Sequence, residues 1–219
     1  MLGHKNILNE PIKCFNEDTY TAPGHPINKE NAKYMLSTIN RVFKENGIEL
    51  IIAYGTLLGA VREQDFITHD EDVDTMIWAK DVQKAFDLVP KLEKYDITLR
   101  SYCLPWIFSF DYKGEGLDVD ILQEPVWPWN RHFCLIQSKH IPRKFFEETA
   151  PLEFLGDTYT APANPEKVLS YIYGKDWRIP SGSKGRSESY VFFWRYAHRF
   201  IQKCIRYAKR HWLNKGNKS

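Results

Sequence analysis

Two acid pairs and one glycine turn hold the side chains best suited to chemistry. Asp72-Val73-Asp74 and Asp118-Val119-Asp120 each place aspartates at i and i+2 within an apolar alternation. In a strand such residues point to one face, so each pair presents its carboxylates side by side. Unpaired carboxylates are costly to bury. A shared divalent cation removes that cost, and Mg²⁺ takes oxygen ligands at about 2.0–2.1 Å. A third carboxylate from a neighbouring strand can bridge a second cation about 3.5–4 Å away, or accept the proton of an attacking hydroxyl. Gly55 and Thr56 follow the apolar run at 48–53. A glycine at a helix start lets phosphate oxygens approach free backbone N–H groups and the positive end of the dipole, and Thr56 adds a hydroxyl. A lone acid pair or glycine turn usually marks only a solvated edge. The combination fits phosphoryl transfer, where bridging cations offset developing charge and hold the reacting groups in line.

Several neighbouring residues admit two readings. His69-Asp70-Glu71-Asp72-Val73-Asp74 offers three alternating acids. Asp70 joins the other two if the strand starts early; the entering loop is its expected place. Arg62, about two turns beyond Gly55, can reach a phosphate with its planar fork of donors or form a structural ion pair. His69 is either a substrate contact or a solvated loop residue. Trp106, Trp127, Trp129 and Phe133 can enclose a quaternary ammonium group, stack on a base or sugar, or pack as core or lid.

These residues need a scaffold, and the pattern supplies one. Residues 1–27, broken by Pro11, Pro23, Gly24 and Pro26, read as an irregular arm. Asn28 caps a helix carrying Ala32, Met35, Leu36, Ile39, Val42 and Phe43 on one face and ending near Gly47. A buried strand at 48–53 leads to a helical turn or two at 57–62. The strand at 71–78 turns Asp72, Asp74 and Met76 to one side and Val73, Thr75 and Ile77 to the other. A helix from Asp81 aligns Val82, Ala85, Phe86, Val89 and Leu92. Strands follow at 97–101, 106–112 and 117–122, the last two joined at Lys113-Gly114-Glu115-Gly116. The Pro- and Trp-rich stretch 125–129 reads as irregular, 154–161 as a hairpin around Gly156-Asp157, and Asn164-Pro165 as the start of a helix stopping at Gly174. Residues 181–185 link to a final helix from about Tyr190.

The chain has 219 residues, 43% hydrophobic and 15% aromatic, enough for one domain with decorations. A net charge of +2 argues against a nucleic-acid partner. The charge is uneven, because residues 189–219 contain no Asp or Glu. There Trp194, Ala197, Ile201, Cys204, Ile205, Ala208 and Trp212 share one helical face. Arg195, Arg199, Lys203, Arg206 and Arg210 share the other. A basic amphipathic helix of this kind anchors a protein at an anionic membrane surface or packs on its own domain. The cysteines Cys14, Cys103, Cys134 and Cys204 form no CxxC pair, so neither a zinc nor a redox motif is signalled. Reduced thiols in a cytoplasmic protein, peripheral on the inner face of the membrane, are expected. The opening residues lack the apolar run of a signal peptide, and no apolar stretch approaches the ~20 residues that cross a bilayer.

The segment YGTLLGAVREQDFITHDEDVD resembles the LicD/fukutin family, whose members pair a GTLLG-x-x-R stretch with an acidic run. LDVDIL at 117–122 is similar to that family's hydrophobic-Asp-hydrophobic strand, with Asp120 at the matching place. Asn164-Pro165-Glu166-Lys167, Tyr173-Gly174 and Asp176-Trp177 resemble its closing stretch. The resemblance spans about 27–180 and implies an α+β fold of the nucleotidyltransferase superfamily. Its mixed sheet carries helices packed on one face, here followed by the basic amphipathic helix of 181–219. It further implies that Gly55 and Thr56 hold phosphate, and that Asp72, Asp74 and Asp120 are catalytic and bind Mg²⁺ or Mn²⁺. The implied reaction moves a phospho-alcohol such as phosphocholine from a CDP-linked donor to a glycan or lipid-linked glycan. Thr68-His69 and Gln123 depart from the family pattern, which bears on substrate choice. Three rivals remain: a nucleotidyltransferase acting on a protein or small molecule, a glycosyltransferase using Asp72-Val73-Asp74, and a membrane-docked module without activity.

Overall fold

The structure, a computed structural model, describes residues 13–15, 25–124, 133–136 and 139–180. The Pro- and Trp-rich stretch at 125–129 and the basic helix beyond residue 181 lie outside the described residues. The chain divides into two units, Met1–Arg178 and Ile179–Ser219, and the architecture below is that of the first.

Its centre is an eight-stranded mixed sheet in the order β1-β4-β5-β6-β3-β2-β10-β9. The strands are β1 (Lys13–Phe15), β2 (Ile51–Ile52), β3 (Asp72–Trp78), β4 (Thr98–Leu104), β5 (Ile107–Tyr112), β6 (Glu115–Leu122), β9 (Thr149–Phe154) and β10 (Asp157–Pro162). Strands β7 (Phe133–Ile136) and β8 (Lys139–Pro142) form a separate antiparallel pair that the sequence reading did not foresee. Two neighbouring pairs are parallel, β3 with β6 and β2 with β10; the others are antiparallel.

Helix α1 (Lys29–Glu45) begins where the Asn28 side chain accepts the Asn31 N–H at 3.1 Å. A second cap comes from far along the chain, since the Asn28 N–H donates to Glu115 at 3.2 Å. The apolar stripe from Ala32 to Phe43 is buried. It lies against the face of β3, β5 and β6 formed by Val73, Ile77, Leu117, Val119 and Phe110. Phe43 meets Phe110 edge-on at 6.4 Å, and Phe86 meets Phe108 at 5.2 Å. Helices therefore cover the face that Val73, Phe108 and Phe110 share. The alternate residues, including every acid of the two pairs, occupy the opposite face.

Three expectations need correction. The helix expected from Asp81 to Leu92 is two, α3 (Val82–Asp87) and α4 (Val89–Leu92), broken at Leu88. Pro90 lacks the N–H that would bond the carbonyl one turn back, so it stands in the first turn of a new helix, where that donor is not needed. The arm before residue 27 is not wholly irregular, because Lys13–Phe15 adds an antiparallel strand to the edge at β4. The third correction concerns the thiols. Cys103 is disulfide-bonded, and the strand register sets Cys14 directly opposite it. Sheet pairing brings together cysteines remote in sequence, and spacing alone cannot show that. Cys134 is a free, buried thiol. Among the described residues no helix is long and apolar enough to cross a membrane.

Candidate active site

Strand register assembles the site. Ser101 pairs with Ser109, Ser109 with Asp118, and Asp118 with Asp74. Residues opposite one another in a sheet point to the same face, so these four form a polar row across β4, β5, β6 and β3. Ser109 donates its hydroxyl to Asp118 Oδ1 at 2.6 Å. Asp72 stands one step to one side of the row, opposite Gly116; Asp120 stands one step to the other, opposite Met76.

The row ends at the glycine turn. After β2 the chain turns at Tyr54, whose φ of +37° is a left-handed conformation that a side-chain-bearing residue rarely adopts. Helix α2 (Tyr54–Arg62) starts there. Two hydrogen bonds latch it to β3: the Gly55 N–H donates to Asp74 Oδ2 at 2.8 Å, and the Asp74 N–H donates to the Thr56 hydroxyl oxygen at 2.8 Å. The Gly55 N–H expected to meet phosphate thus already meets a carboxylate. Thr56 is buried and positions the turn. A Cβ at Gly55 would fall on Asp70 Oδ2 and lie 3.0 Å from Asp74 Oδ2. The requirement for glycine here is steric.

Asp70 precedes β3, as the loop placement expected, yet its carboxyl reaches the space in front of Gly55 beside Asp74. Asp70, Asp72, Asp74 and Asp118 make one cluster, and its electrostatics are those of crowded acids. Burial, then the charges of Asp72 and Glu63, push Asp70 up to about 6. Burial, then Asp72, push Asp118 up to about 6 against the opposing Ser109 hydroxyl and Arg100. Asp74 is raised well above the carboxylate range by burial and by Asp72 and Asp70, although the Gly55 N–H favours its anion. Asp72 is raised by burial and Glu71, with Arg100 opposing.

Asp120 is buried and lies near Tyr54. Burial, followed by the charges of Asp120 and Asp74, drives the Tyr54 hydroxyl far from ionisation. Tyr173, at the end of helix α5 (Pro165–Tyr173), is raised likewise by burial and by Asp74 and Asp70, so the closing stretch borders the cluster. Arg62 donates through Nη2 to Glu63 at 2.5 Å and through Nη1 to the Trp177 carbonyl at 3.2 Å. It ties α2 to the Asp176-Trp177 stretch and lowers the proton affinity of Asp70. His69 is exposed. Trp106 is half-buried, Trp127 and Trp129 lie outside the described residues, and of Phe133 only the place in β7 is described.

Local pattern puts Asp70 in the loop, the family resemblance singles out Asp120 rather than Asp118, and neither gives a signal for Ser109 or Arg100. Periodicity puts Asp118 and Asp120 on one face but cannot say which stands beside Asp74; register does.

The donor set is all oxygen, as a hard divalent cation requires. The acids disfavour one another as anions, and a cation relieves that repulsion. Among the described residues no three acidic, histidine or cysteine side chains already converge as a finished metal cage.

A mixed sheet with helices on one face and acids on strands of the other defines a nucleotidyltransferase-like fold. The chain belongs to the LicD/FKTN/FKRP nucleotidyltransferase-domain family, whose model matches residues 47–164. Family and fold together make it a transferase. The fold is similar to the solution structure of the antibiotic-resistance factor ANT(2'')-Ia, with TM-score 0.51 and 16% identity over 84% of this chain and 99% of that one. A crystal structure of ANT(2'')-Ia in complex with adenylyl-2''-tobramycin matches at TM-score 0.47 and 16% identity, covering 78% of this chain and 98% of the other. No curated protein matches the chain.

Proposed function

We propose that this transferase is a metal-dependent phosphotransferase moving a phospho-alcohol, phosphocholine or a relative, from a CDP-linked donor to a hydroxyl of a glycan or its lipid-linked precursor. The observation carrying this reading is the cluster of Asp70, Asp72, Asp74 and Asp118 in front of a turn where Gly55 leaves no side chain. The family resemblance supplies the donor and acceptor classes.

Asp72 and Asp74, with Asp120 or Asp118 as the third carboxylate, would hold Mg²⁺ or Mn²⁺. A bound cation supplies charge neutralisation for the donor phosphates. The chain's own residues do the rest. The latch between Gly55, Thr56 and Asp74 fixes the turn against the strand, so the phosphate-facing surface and the acids keep one geometry. Asp118, with its proton affinity near pH 6 and oriented by Ser109, suits acceptance of the proton from an attacking acceptor hydroxyl. The bond formed joins the acceptor oxygen to the donor's distal phosphorus, and the bond broken releases CMP.

The test is a thermal-shift screen of CDP-linked alcohols with Mg²⁺ or Mn²⁺, followed by product analysis. A ligand that binds only the folded state raises apparent stability. Released CMP supports the reading; pyrophosphate released from a nucleoside triphosphate replaces it with nucleotidyl transfer.

A further inference from the structure

Strand β4 departs from regular pairing at one point. Leu99 pairs with Phe110 and Ser101 with Ser109, so one step on β5 is matched by two on β4, and Arg100 is the extra residue of a β-bulge. A bulge re-aims side chains and recurs beside active sites. Without it Leu99 and Ser101 would share a face. With it Leu99 faces the helices, as its partner Phe110 does, and Arg100 comes to the side of the acids. The side chain crosses to β6, where its Nη1 lies 3.1 Å from where a Gly116 Cβ would be. Gly116 pairs with Asp72, so the guanidinium borders the cluster where a glycine leaves room for it. Arg100 lowers the proton affinity of both Asp72 and Asp118. The Ser101 hydroxyl beside it is buried with no hydrogen-bond partner among the described residues.

We propose that Arg100 is the anion-binding residue of this site, gripping the diphosphate of the nucleotide-linked donor over Gly116. The inference deepens the proposed function and rests on it. Carboxylates and a bound cation together leave the site short of fixed positive charge for a diphosphate. A planar guanidinium supplies it with paired donors matched to phosphate oxygens. Arg62 donates to Glu63 and to the Trp177 carbonyl and so ties α2 to the closing stretch.

The experiment measures binding of CDP and of inorganic pyrophosphate, each with Mg²⁺, and of Mn²⁺ alone, by calorimetry on the full chain. Wild type is compared with Arg100→Gln, Arg100→Lys and Gly116→Ala, each checked for folding by thermal melting. Arg100→Gln should weaken CDP and pyrophosphate about tenfold or more, while Mn²⁺ alone binds as well as before or better. Arg100→Lys keeps the charge without the fork and should fall between. Gly116→Ala crowds Nη1 and should weaken CDP without removing any charge; it keeps the test open if Arg100→Gln does not fold. Equal CDP affinity in folded Arg100 variants, or weakening confined to Mn²⁺ alone, overturns the assignment and leaves the proposed function standing. Arg100-dependent binding of pyrophosphate but not CDP upholds the residue's role and sinks the nucleotide donor. Wild type that binds neither probe overturns both.

Discussion

Gly55→Ala sets two effects of opposite sign against each other. Gly55 sits within α2, and its φ is not left-handed, so alanine is conformationally allowed. Helix propensity alone would favour alanine by about 1 kcal/mol. Against this, the new Cβ overlaps Asp70 Oδ2 and stands 3.0 Å from both Asp70 Cγ and Asp74 Oδ2. Asp70 must swing away, and Asp74 must retreat from the 2.8 Å bond with the Gly55 N–H. Overpacking typically costs about 1–3 kcal/mol, and weakening a hydrogen bond to a charged group adds about 1 kcal/mol. Sterics should win, with a net loss of about 1–3 kcal/mol. At about 2–4 °C per kcal/mol for a chain of this size, Tm should fall by roughly 2–12 °C.

The assay that isolates the cause is a double-mutant cycle with Asp70→Ala, read by thermal unfolding at one pH without divalent cations. Removing the Asp70 carboxyl removes the worst overlap. In that background Gly55→Ala should be near neutral, giving a coupling of about 1–2 kcal/mol between the two sites. Additivity within about 0.5 kcal/mol would refute the steric argument. So would a Gly55→Ala protein more stable than wild type, since helix propensity would then be the only effect at work.

Asp74→Asn should raise the metal-free melting temperature at pH 7, because burial, then the charges of Asp72 and Asp70, penalise the ionised carboxylate that the unfolded chain carries and the amide removes that cost, and it should abolish both turnover and any cation-induced shift; a folded, active variant would remove Asp74 from the site. The metal-free protein should lose stability as pH rises. The folded-state proton affinity of Asp118, near 6, exceeds its ordinary 3.8, so the folded state holds the extra proton between them. The stabilisation is full below about 4 and gone above about 6, a change of about 3 kcal/mol from this group. Urea titrations at pH 4, 5, 6 and 7 measure it, and Asp118→Asn should flatten the profile. Thiol counting under denaturing, non-reducing conditions should find fewer than four reactive thiols, with Cys103 absent from the labelled set; four labelled thiols would contradict the disulfide. If the tail at 189–219 is a membrane anchor, its deletion should release the protein from anionic vesicles in a sedimentation assay, with wild-type binding falling as salt rises; equal sedimentation of both forms would exclude the anchor.

Much of the scaffold was legible because local signals and burial agree. Asn28, the stripe from Ala32 to Phe43 and Gly47 (φ +68°) mark α1 almost to the residue. The hairpin at 154–161 was legible from its glycine, and Leu155 and Gly156 both take positive φ in a two-residue turn. What was not legible depends on partners remote in sequence. The apolar run at 48–53 yields only a two-residue strand. Its end is set from outside, by Ala53 bonding Asp74 and by the turn at Tyr54. Strand β1 exists because β4 offers an open edge, a property of the sheet rather than of residues 13–15.

The site divides along the same line. Residue type and period two were enough to find both acid pairs and the glycine turn, since all three are local. Function turns on which carboxylate stands beside which, and one residue of register decides that. Asp118 and Asp120 are indistinguishable by alternation, yet Asp118 stands beside Asp74 and is oriented by Ser109, while Asp120 stands beside Met76 near the strained Tyr54. The bulge at Arg100 is the same problem in another strand. Thr98-Leu99-Arg100-Ser101 reads as ordinary alternation, and an uninterrupted strand would send Arg100 to the opposite face from Ser101. Only pairing with β5 shows the extra residue. A parallel β3–β6 pair between antiparallel neighbours makes this arrangement possible. It sets two acid-bearing strands side by side and running the same way, so that Asp72 and Asp74 meet Gly116 and Asp118 in step. Gly116, the one position of that quartet without a side chain, is where the guanidinium enters.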